Sequence, residues 1–354
     1  MSSSAGSPDF APSCPVPLVN TDRVLLGHGS GGKMTADLIA RCFLPAFRNR
    51  YLEKLDDQAV LRINGSRLAF STDSYVVTPL FFPGGDIGML AVHGTVNDLA
   101  MAGARPLYLS AAFILEEGFP LSELDRVVAS MREAAERVGI LLVTGDTKVV
   151  DHGKADGCFV TTTGLGIVQH DQEISADQAR PGDAVILSGP IAEHGMAIMA
   201  TRAELELETE VASDTAPLHE LVLDMLDVGA PIHCLRDPTR GGVATALNEI
   251  ARRSGVGMVL EEAAIRVCEP VRAICELLGL DPLYVANEGR LLAIVPSDGA
   301  EQIVERMRQR PEGREARVIG RIVEDSARLV VLRTRVGGRR IVDMLPGEQL
   351  PRIC

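Results

Sequence analysis

A glycine-rich segment near the start of the chain has the composition of an anion-binding loop. Residues 27–33 read GHGSGGK, and closely spaced glycines allow successive backbone N–H groups to point at one anion while the lysine adds charge. Met34 stands where a P-loop has a metal-binding hydroxyl, which disfavours a P-loop. A phosphate-binding loop and a ligand-free turn both remain open here. The candidate ligands are Gly29, Ser30, Gly31, Gly32 and Lys33.

Acidic residues recur at the ends of predicted strands and helices in the first half of the chain. Mg²⁺ prefers oxygen ligands and needs only a few carboxylates when phosphate oxygens complete its shell. Each such residue alone is more often a turn former or a helix cap, but the group together favours a metal–nucleotide site. The set consists of Asp56, Asp57, Asp73, Asn97, Asp98 and Asp146.

Two further charged residues stand near the ends of predicted strands. Lys148 lies in the segment TGDTKVV and Glu288 in VANEG. A lysine can stabilise developing negative charge and a glutamate can act as a general base, although both residues also fit ordinary surface charges. The turn RDPTRGG at 236–242 precedes a predicted helix, whose N-terminal amides could hold an anion.

The chain ends in a thiol, Cys354, after the segment DMLPGEQLPRI. Two prolines and a glycine exclude a regular element there, so residues 343–354 are predicted to form a flexible tail. About ten extended residues span about 35 Å, enough to carry the thiol between an internal site and a second protein. We interpret Cys354 as a carrier thiol, although an incidental cysteine at a frayed end is the alternative.

Short β-branched runs alternate with helical patterns over the rest of the chain, which is typical of an α/β fold. Helices are predicted over residues 87–101 and 121–138, each followed by a glycine, and a hairpin turn at Asn64-Gly65. The segment DQEISADQARPGD is polar and turn-rich and is predicted to link two units. The predicted organisation is a disordered leader at 1–20, a first domain at 21–170, a second domain at 180–342 and the tail at 343–354.

Composition excludes several classes of protein. The chain has 354 residues, a net charge of −13, no tryptophan and 4% aromatic residues, which argues against nucleic-acid binding. No apolar run is long enough to cross a membrane, and the N-terminus lacks the pattern of a secretory signal. Seven cysteines without a C-x-x-C pair favour a reducing, cytoplasmic location over a disulfide framework or a structural zinc site.

Several motifs together resemble one known family. They are HGSGGK, LDDQAVL, STDSYVV, HGTVNDLAMAGARP, TGDTKVV, RDPTRGG, NEG and the terminal PRIC. The combination resembles the HypE family of nickel–iron hydrogenase maturation proteins, within the aminoimidazole-ribotide-synthetase-like (PurM-like) superfamily. The resemblance extends from Thr21 to Cys354, and the PRIC end is its most specific part.

The resemblance implies a two-domain PurM-like fold of α/β (α+β) type. The N-terminal domains would join in a β-barrel across a homodimer, with Mg²⁺ and ATP bound near the seam. A carbamoyltransferase, HypF, would load a carbamoyl group onto the terminal sulfur. The protein would dehydrate this group to a thiocyanate with ATP and pass cyanide to iron on a HypC–HypD complex.

Individual roles follow from the resemblance motif by motif. Cys354 would be the carrier, with Lys148 and Glu288 near the thiocarbamate and Glu288 as a base. The nucleotide-binding residues would be Gly29, Ser30, Gly31, Gly32, Lys33, Asp73, Asn97 and Asp98. The metal ligands would be Asp56, Asp73, Asp98 and Asp146.

Two other classes of protein stay open. Another ATP-dependent PurM-like enzyme, such as a thiamine-phosphate kinase or a selenophosphate synthetase, shares some of the motifs. Neither explains the terminal cysteine, and the glycine loop lacks the reactive residue of a selenophosphate synthetase. A non-catalytic adaptor, whose tail docks on a partner, would bind ATP weakly or not at all.

Overall fold

The structure, a computed structural model, describes residues 23–203, 211–347, 350 and 352–354. The predicted leader at 1–20 lies outside the described residues. Among the helices of the described chain, none combines the length and the apolar character that a membrane span needs.

The first half of the described chain contains seven strands. They are β1 (Ala59–Ile63), β2 (Ser66–Tyr75), β3 (Phe81–Phe82), β4 (Gly85–Asp86), β5 (Ala104–Glu116), β6 (Leu141–Val150) and β7 (Cys158–Val168). Five of them make one sheet in the order β1-β2-β7-β5-β6, in which only β5 and β6 are parallel. The predicted hairpin is confirmed, because Asn64 and Gly65 take left-handed φ angles of 49° and 85° between β1 and β2.

Four α-helices accompany this sheet in the described part of the first half. They are α1 (Lys33–Leu38), α2 (Leu44–Phe47), α3 (Ile87–Ala100) and α4 (Leu121–Val138). The carboxylate of Asp86 caps α3 by accepting from the backbone N–H groups of Gly88 and Met89 at 2.7 and 3.0 Å, and Gly139 ends α4 at φ 77°. Both helix predictions are confirmed. α3 packs on the sheet and α4 packs on α3, while the opposite sheet face leaves Tyr108 and Ile114 exposed.

The second half carries helices on both faces of a second sheet. Its strands are β8 (Asp183–Leu187), β9 (Cys234–Arg236), β10 (Gly257–Glu261), β11 (Leu292–Pro296), β12 (Arg317–Val323), β13 (Val330–Arg333) and β14 (Arg339–Ile341), in the order β14-β13-β10-β12-β8-β11-β9. Its helices are α5 (Glu193–Arg202), α6 (His219–Asp227), α7 (Gly242–Ser254), α8 (Glu269–Leu278) and α9 (Ala300–Met307). Along β8, Val185 and Leu187 pack with α5, α7 and α8 on one face of the sheet. Ala184 and Ile186 pack with α6 and α9 on the other face.

The two halves share core residues. Ala100 and Met101, at the end of α3, pack with α6, whereas Ile198 and Ala286 of the second half pack with the core of the first. The predicted α/β fold class is confirmed by this arrangement. The barrel needs a second copy of the sheet and stays a prediction.

Candidate active site

The end of the chain lies against the first half as an extended segment. The backbone N–H of Val76 donates to Cys354 O at 3.1 Å, and that of Thr78 donates to Arg352 O at 3.3 Å. The side chain of Ile353 is 3% exposed and packs in the core next to the first sheet. At these residues the tail is docked, because apolar burial and paired carbonyls offset the entropy of ordering them; its flexibility stays a prediction.

The root of the tail packs against the glycine-rich loop. The backbone N–H of Lys33 donates to Leu345 O at 2.8 Å, and Lys33 Nζ pairs with Asp343 at 2.6 Å. A Cβ at Gly32 would lie 2.5 Å from Leu345 O, so this close approach requires glycine. Lys33, the predicted phosphate ligand, therefore has a carboxylate of the tail as its partner in this state.

The loop itself reaches the second half of the protein. Gly31 adopts φ +78°, and a Cβ there would lie 2.7 Å from Arg240 O. Ser30 Oγ donates to Gly27 O at 2.9 Å, whereas a Cβ at Gly29 would meet nothing within 4 Å among the described residues. Gly29 and Gly31 therefore give the loop an open backbone on one side and a tight contact with Arg240 on the other.

The terminal thiol interacts electrostatically with the side chain of Glu288. Glu288 is 3% exposed, and its Oε1 has no hydrogen-bond partner in the described part of the chain. Burial raises the pKa of Glu288 well above its ordinary value, Asp237 raises it further and Arg240 opposes the shift. Burial, followed by Glu288, likewise raises the pKa of the Cys354 thiol. These shifts favour a neutral thiol beside Glu288.

The loop that carries Glu288 is held by a buried carboxylate. Asp214 accepts from the backbone N–H groups of Glu288 and Gly289 at 3.2 and 3.3 Å, and Arg290 Nε lies 3.5 Å from its Oδ2. A Cβ at Gly289 would lie 1.8 Å from Asp214 O, so no other residue fits there without moving the backbone. The position of Glu288 is therefore fixed by its own backbone.

Asn97 also holds this loop. Its side-chain amide donates to Ala216 O at 3.0 Å and to Glu288 O at 3.2 Å, and its Oδ1 accepts from Leu218 N at 2.8 Å. The side chain is completely buried, and these contacts occupy the amide hydrogens. In this state Asn97 positions the loop of Glu288 through these contacts, and its nucleotide-binding role stays a prediction.

A cleft of about 410 Å³ receives residues from both halves. Its carboxylates include Asp57, Asp73, Asp98 and Asp237. Burial raises the pKa of Asp98 well above its ordinary value, and the carboxylates of Asp237 and Asp73 raise it further. Burial also raises the pKa of Asp237 to about 6. A cation relieves such repulsion, so this donor set fits Mg²⁺.

The carboxylates of the cleft need a further ligand to close a metal shell. Within the described ranges, no group of three or more His, Cys, Asp or Glu side chains converges as a preformed metal site. Phosphate oxygens supply the missing ligands in many Mg²⁺ sites. The cleft therefore fits a metal that arrives together with a nucleotide.

Two adjacent aspartates have different roles. Asp56 accepts from Ser175 Oγ at 2.8 Å and from Ala176 N at 3.0 Å, so it fastens the segment between the two halves. Asp57 points into the cleft, where burial raises its pKa and its Oδ1 lies 3.0 Å from Arg236 Nε. Both aspartates line the cleft, but the two oxygens of Asp56 are bonded to the segment between the halves, and its role as a metal ligand stays a prediction.

Asp146 and Lys148 lie on the edge strand β6 and not in the cleft. Lys148 Nζ contacts Asp146 at 2.8 Å, and both side chains are exposed. Lys148 lies opposite Ile114 in the pairing of β5 with β6, so its side chain is on the exposed face of the sheet. Asp73 is on the other face, together with Tyr75. Three strand spacings, about 14 Å, also separate the two positions. A single chain therefore does not bring Lys148 to the thiol and Glu288.

Sequence reasoning does not identify Asp214 or Asp237 as site residues. The RDPTRGG motif is recognised as an anion-binding turn, but its Asp237 enters the acidic cleft while Arg240 interacts electrostatically with Cys354 and Asp73. Asp214 carries no motif signal, since its partners are backbone groups 74 and 75 residues away.

The chain matches two families of known proteins. They are described as AIR synthase related protein, N-terminal domain, over residues 55–168, and AIR synthase related protein, C-terminal domain, over residues 180–332. Carbamoyl dehydratase HypE of Azotobacter vinelandii is 58% identical over 327 residues, which cover 92% of this chain and 96% of that protein.

Solved structures agree with these matches. HypE in complex with ATP is 50% identical, with a TM-score of 0.79, over 94% of this chain and 100% of that one. HypE in the HypE–HypF complex is 46% identical, with a TM-score of 0.83, over 87% of this chain and 99% of that one. The predicted PurM-like fold is confirmed by these likenesses. The chain belongs to the HypE family of carbamoyl dehydratases.

Proposed function

We propose that the protein uses ATP to dehydrate a carbamoyl group on the sulfur of Cys354 to a thiocyanate, the source of the cyanide ligand of nickel–iron hydrogenases. The observation that carries this proposal is the docked end of the chain: Cys354 O accepts from Val76 N at 3.1 Å, and the thiol interacts electrostatically with the buried Glu288 and with Arg240 of the acidic cleft. A group delivered there meets a base, a cation and a nucleotide-sized cleft together. Relatives named carbamoyl dehydratase HypE support the same activity.

Mg-ATP is assigned to the acidic cleft and to the apolar pocket beside it. The metal ligands would be Asp57, Asp73, Asp98 and Asp237. The glycine loop with Lys33 would bind phosphate oxygens, and Mg²⁺ would neutralise their charge. The pocket, of about 720 Å³, shares Arg236 with the cleft and has apolar walls that include Leu55 and Phe70, which suits a purine base. A relative solved in complex with ATP supports this assignment.

The first step activates the carbamoyl oxygen. This oxygen attacks the γ-phosphorus of ATP, and ADP leaves with the electron pair of the broken P–O bond. The reaction turns a poor leaving group into a phosphate ester. Arg240, which lines the cleft and interacts electrostatically with Cys354, stabilises the charge of the transferring group.

The second step forms the carbon–nitrogen triple bond. One N–H proton passes to Glu288, and the second leaves with phosphate as the C–O bond breaks, so the net change is the loss of one water. A carboxyl group with a raised pKa is a stronger base once ionised. Burial of the site also limits hydrolysis of the phosphorylated cargo.

A homodimer would complete the site. The edge strand β6 exposes Leu141 and Val149 by 63% and 66%, next to the uncovered face that carries Ile114. An unpaired apolar edge favours pairing with another sheet, and two open sheets joined at such edges make a barrel. Asp146 and Lys148 face away from their own cleft, and we assign them to the cleft of the second copy.

A Leu141→Glu substitution is expected to convert the dimer to monomers at micromolar concentration. A buried charge at the edge strand lacks a partner and costs more than the apolar contact it replaces. Leu277→Glu is the matched control, because Leu277 is 68% exposed on α8 in the second half. Light scattering should give a dimer for the wild type and Leu277→Glu. A dimeric Leu141→Glu protein would contradict the proposed interface.

Other proteins would load and unload the carrier. HypF would supply the carbamoyl group, as a solved HypE–HypF complex supports, and a HypC–HypD complex would accept the cyanide. The docked tail must leave its site to meet either partner, and about ten extended residues give it a reach of about 35 Å. We place this exchange in the cytoplasm, where reducing conditions keep the Cys354 thiol free.

The intact mass of the full chain tests the proposed function. At successive times after mixing with HypF, carbamoyl phosphate and ATP, we expect the C-terminal peptide first to gain one carbamoyl group and then to lose one water. Cys354→Ala should undergo neither change. An unmodified wild-type chain, or both changes in Cys354→Ala, would exclude the function.

A further inference from the structure

A buried histidine in the second half contacts the tail directly. His194, on α5, is completely buried, and its Nε2 lies 2.7 Å from Ile353 O. Its Nδ1 lies 2.8 Å from Ser213 Oγ, and the ring of Phe82 packs edge-on against it at 5.6 Å. The imidazole is therefore held on three sides, with one nitrogen aimed at the end of the chain.

Hydrogen-bond accounting fixes the direction of these contacts. A carbonyl oxygen only accepts, so Nε2 of His194 must carry the hydrogen that Ile353 O receives. In a neutral ring Nδ1 then accepts, and the hydroxyl of Ser213 is its donor. Ser213 Oγ in turn accepts from Thr215 N at 3.1 Å. The two ring nitrogens of His194 and the hydroxyl of Ser213 therefore each have a hydrogen-bond partner of the required type.

Both halves hold the tail. The carbonyls of Arg352 and Cys354 accept from backbone N–H groups that follow β2 in the first half, and Arg202, on α5 in the second half, also donates to Arg352 O. The Ile353 carbonyl lies between them, points the other way and accepts from His194 in the second half. Alternation of this kind orients an extended segment and so determines where the last side chain points.

We infer that His194 is a positioning residue that holds the Ile353 carbonyl and thereby places the Cys354 sulfur against Glu288. The contact itself is independent of the chemistry, whereas its use in catalysis rests on the proposed function. Release of the tail toward a partner must break this hydrogen bond. Loss of the donor leaves a buried carbonyl unsatisfied and raises the undocked fraction of the tail.

Alkylation of Cys354 by iodoacetamide measures the undocked fraction without ATP or cargo. In the full-length chain, His194→Ala should label the C-terminal peptide about tenfold faster than the wild type or more. His194→Gln should restore a rate within about threefold of the wild type, because its amide nitrogen can donate from the same place. His219→Ala is the control, since His219 is 5% exposed on α6 and has no contact with the described tail.

Labelling of Cys234 in the same samples reports global opening, because that thiol is completely buried. A His194→Ala rate equal to that of the wild type, or a His194→Gln rate as fast as that of His194→Ala, would overturn the inference. If His194→Ala also exposes Cys234, Ser213→Ala decides, with about threefold faster labelling of Cys354 expected and an unchanged rate contradicting it. Failure of ATP-driven dehydration would leave these labelling rates unaffected and would count only against the proposed function.

Discussion

A Glu288→Gln variant will take up a carbamoyl group on Cys354 but convert it to a thiocyanate about 10²–10⁴-fold more slowly than the wild type. The amide preserves the shape of the buried side chain and can still contact the sulfur, but it cannot accept the proton that must leave nitrogen. The masses of the C-terminal peptide at successive times after mixing with HypF, carbamoyl phosphate and ATP give this rate for both proteins.

This substitution has two controls, the melting temperature of the variant and a matched Glu→Gln change elsewhere in the chain. A neutral amide at position 288 carries no cost of burying a carboxylate, so the melting temperature should not fall. Glu116→Gln is the matched variant, because it makes the same change of carboxylate to amide at the end of β5, outside the cleft. Wild-type turnover in Glu288→Gln, or equal losses in both variants, would be incompatible with a base at Glu288.

Asp57→Asn is expected to lower ATP-driven turnover about 10²–10³-fold, as loss of one electrostatic contact to the reacting phosphates typically does. Asp56→Asn, one residue earlier, should retain turnover within a few fold. Its effect should be on stability, with a loss of about 1–2 kcal/mol, because the bonds to Ser175 and Ala176 are weakened. Turnover at varied Mg²⁺ concentration and chemical denaturation measure the two effects.

Asp56 and Asp57 suit this comparison because they are neighbours in the sequence. The two substitutions remove the same charge from neighbouring positions, so net charge and chemical change are matched. Asp57→Asn should also require more Mg²⁺ for half-maximal turnover, whereas Asp56→Asn should not. Reversed effects at the two positions would restore Asp56 as the metal ligand and remove Asp57 from the site.

Local signals account for the parts of the fold that sequence predicts. The start of α3, the end of α4 and the β1–β2 hairpin each depend on neighbours within a few residues. Asp86 caps its own helix, Gly139 supplies a left-handed turn, and Asn64-Gly65 provides the two left-handed residues of a tight hairpin. These features need no knowledge of the tertiary structure.

The contacts that sequence does not predict depend on distant partners. Asp56 and Asp57 are equivalent as residue types, and the bond that distinguishes them joins Asp56 to Ser175, 119 residues away. The contacts of Asn97 also come from distant residues, because its amide donates to backbone carbonyls of the second half. The tail is irregular, as its prolines predict, but its order depends on contacts with both halves that composition does not encode.

Docking of Cys354 on its own chain has a kinetic consequence. Because carrier and catalyst are one polypeptide, the cargo meets the active site at an effective molarity that is set by the tail and not by the amount of protein in the cell. Dehydration is then first order in the loaded chain, and saturation by cargo has no meaning for it. Each molecule completes one cycle and must be emptied before it can start another, so throughput is governed by how fast its sulfur is reloaded.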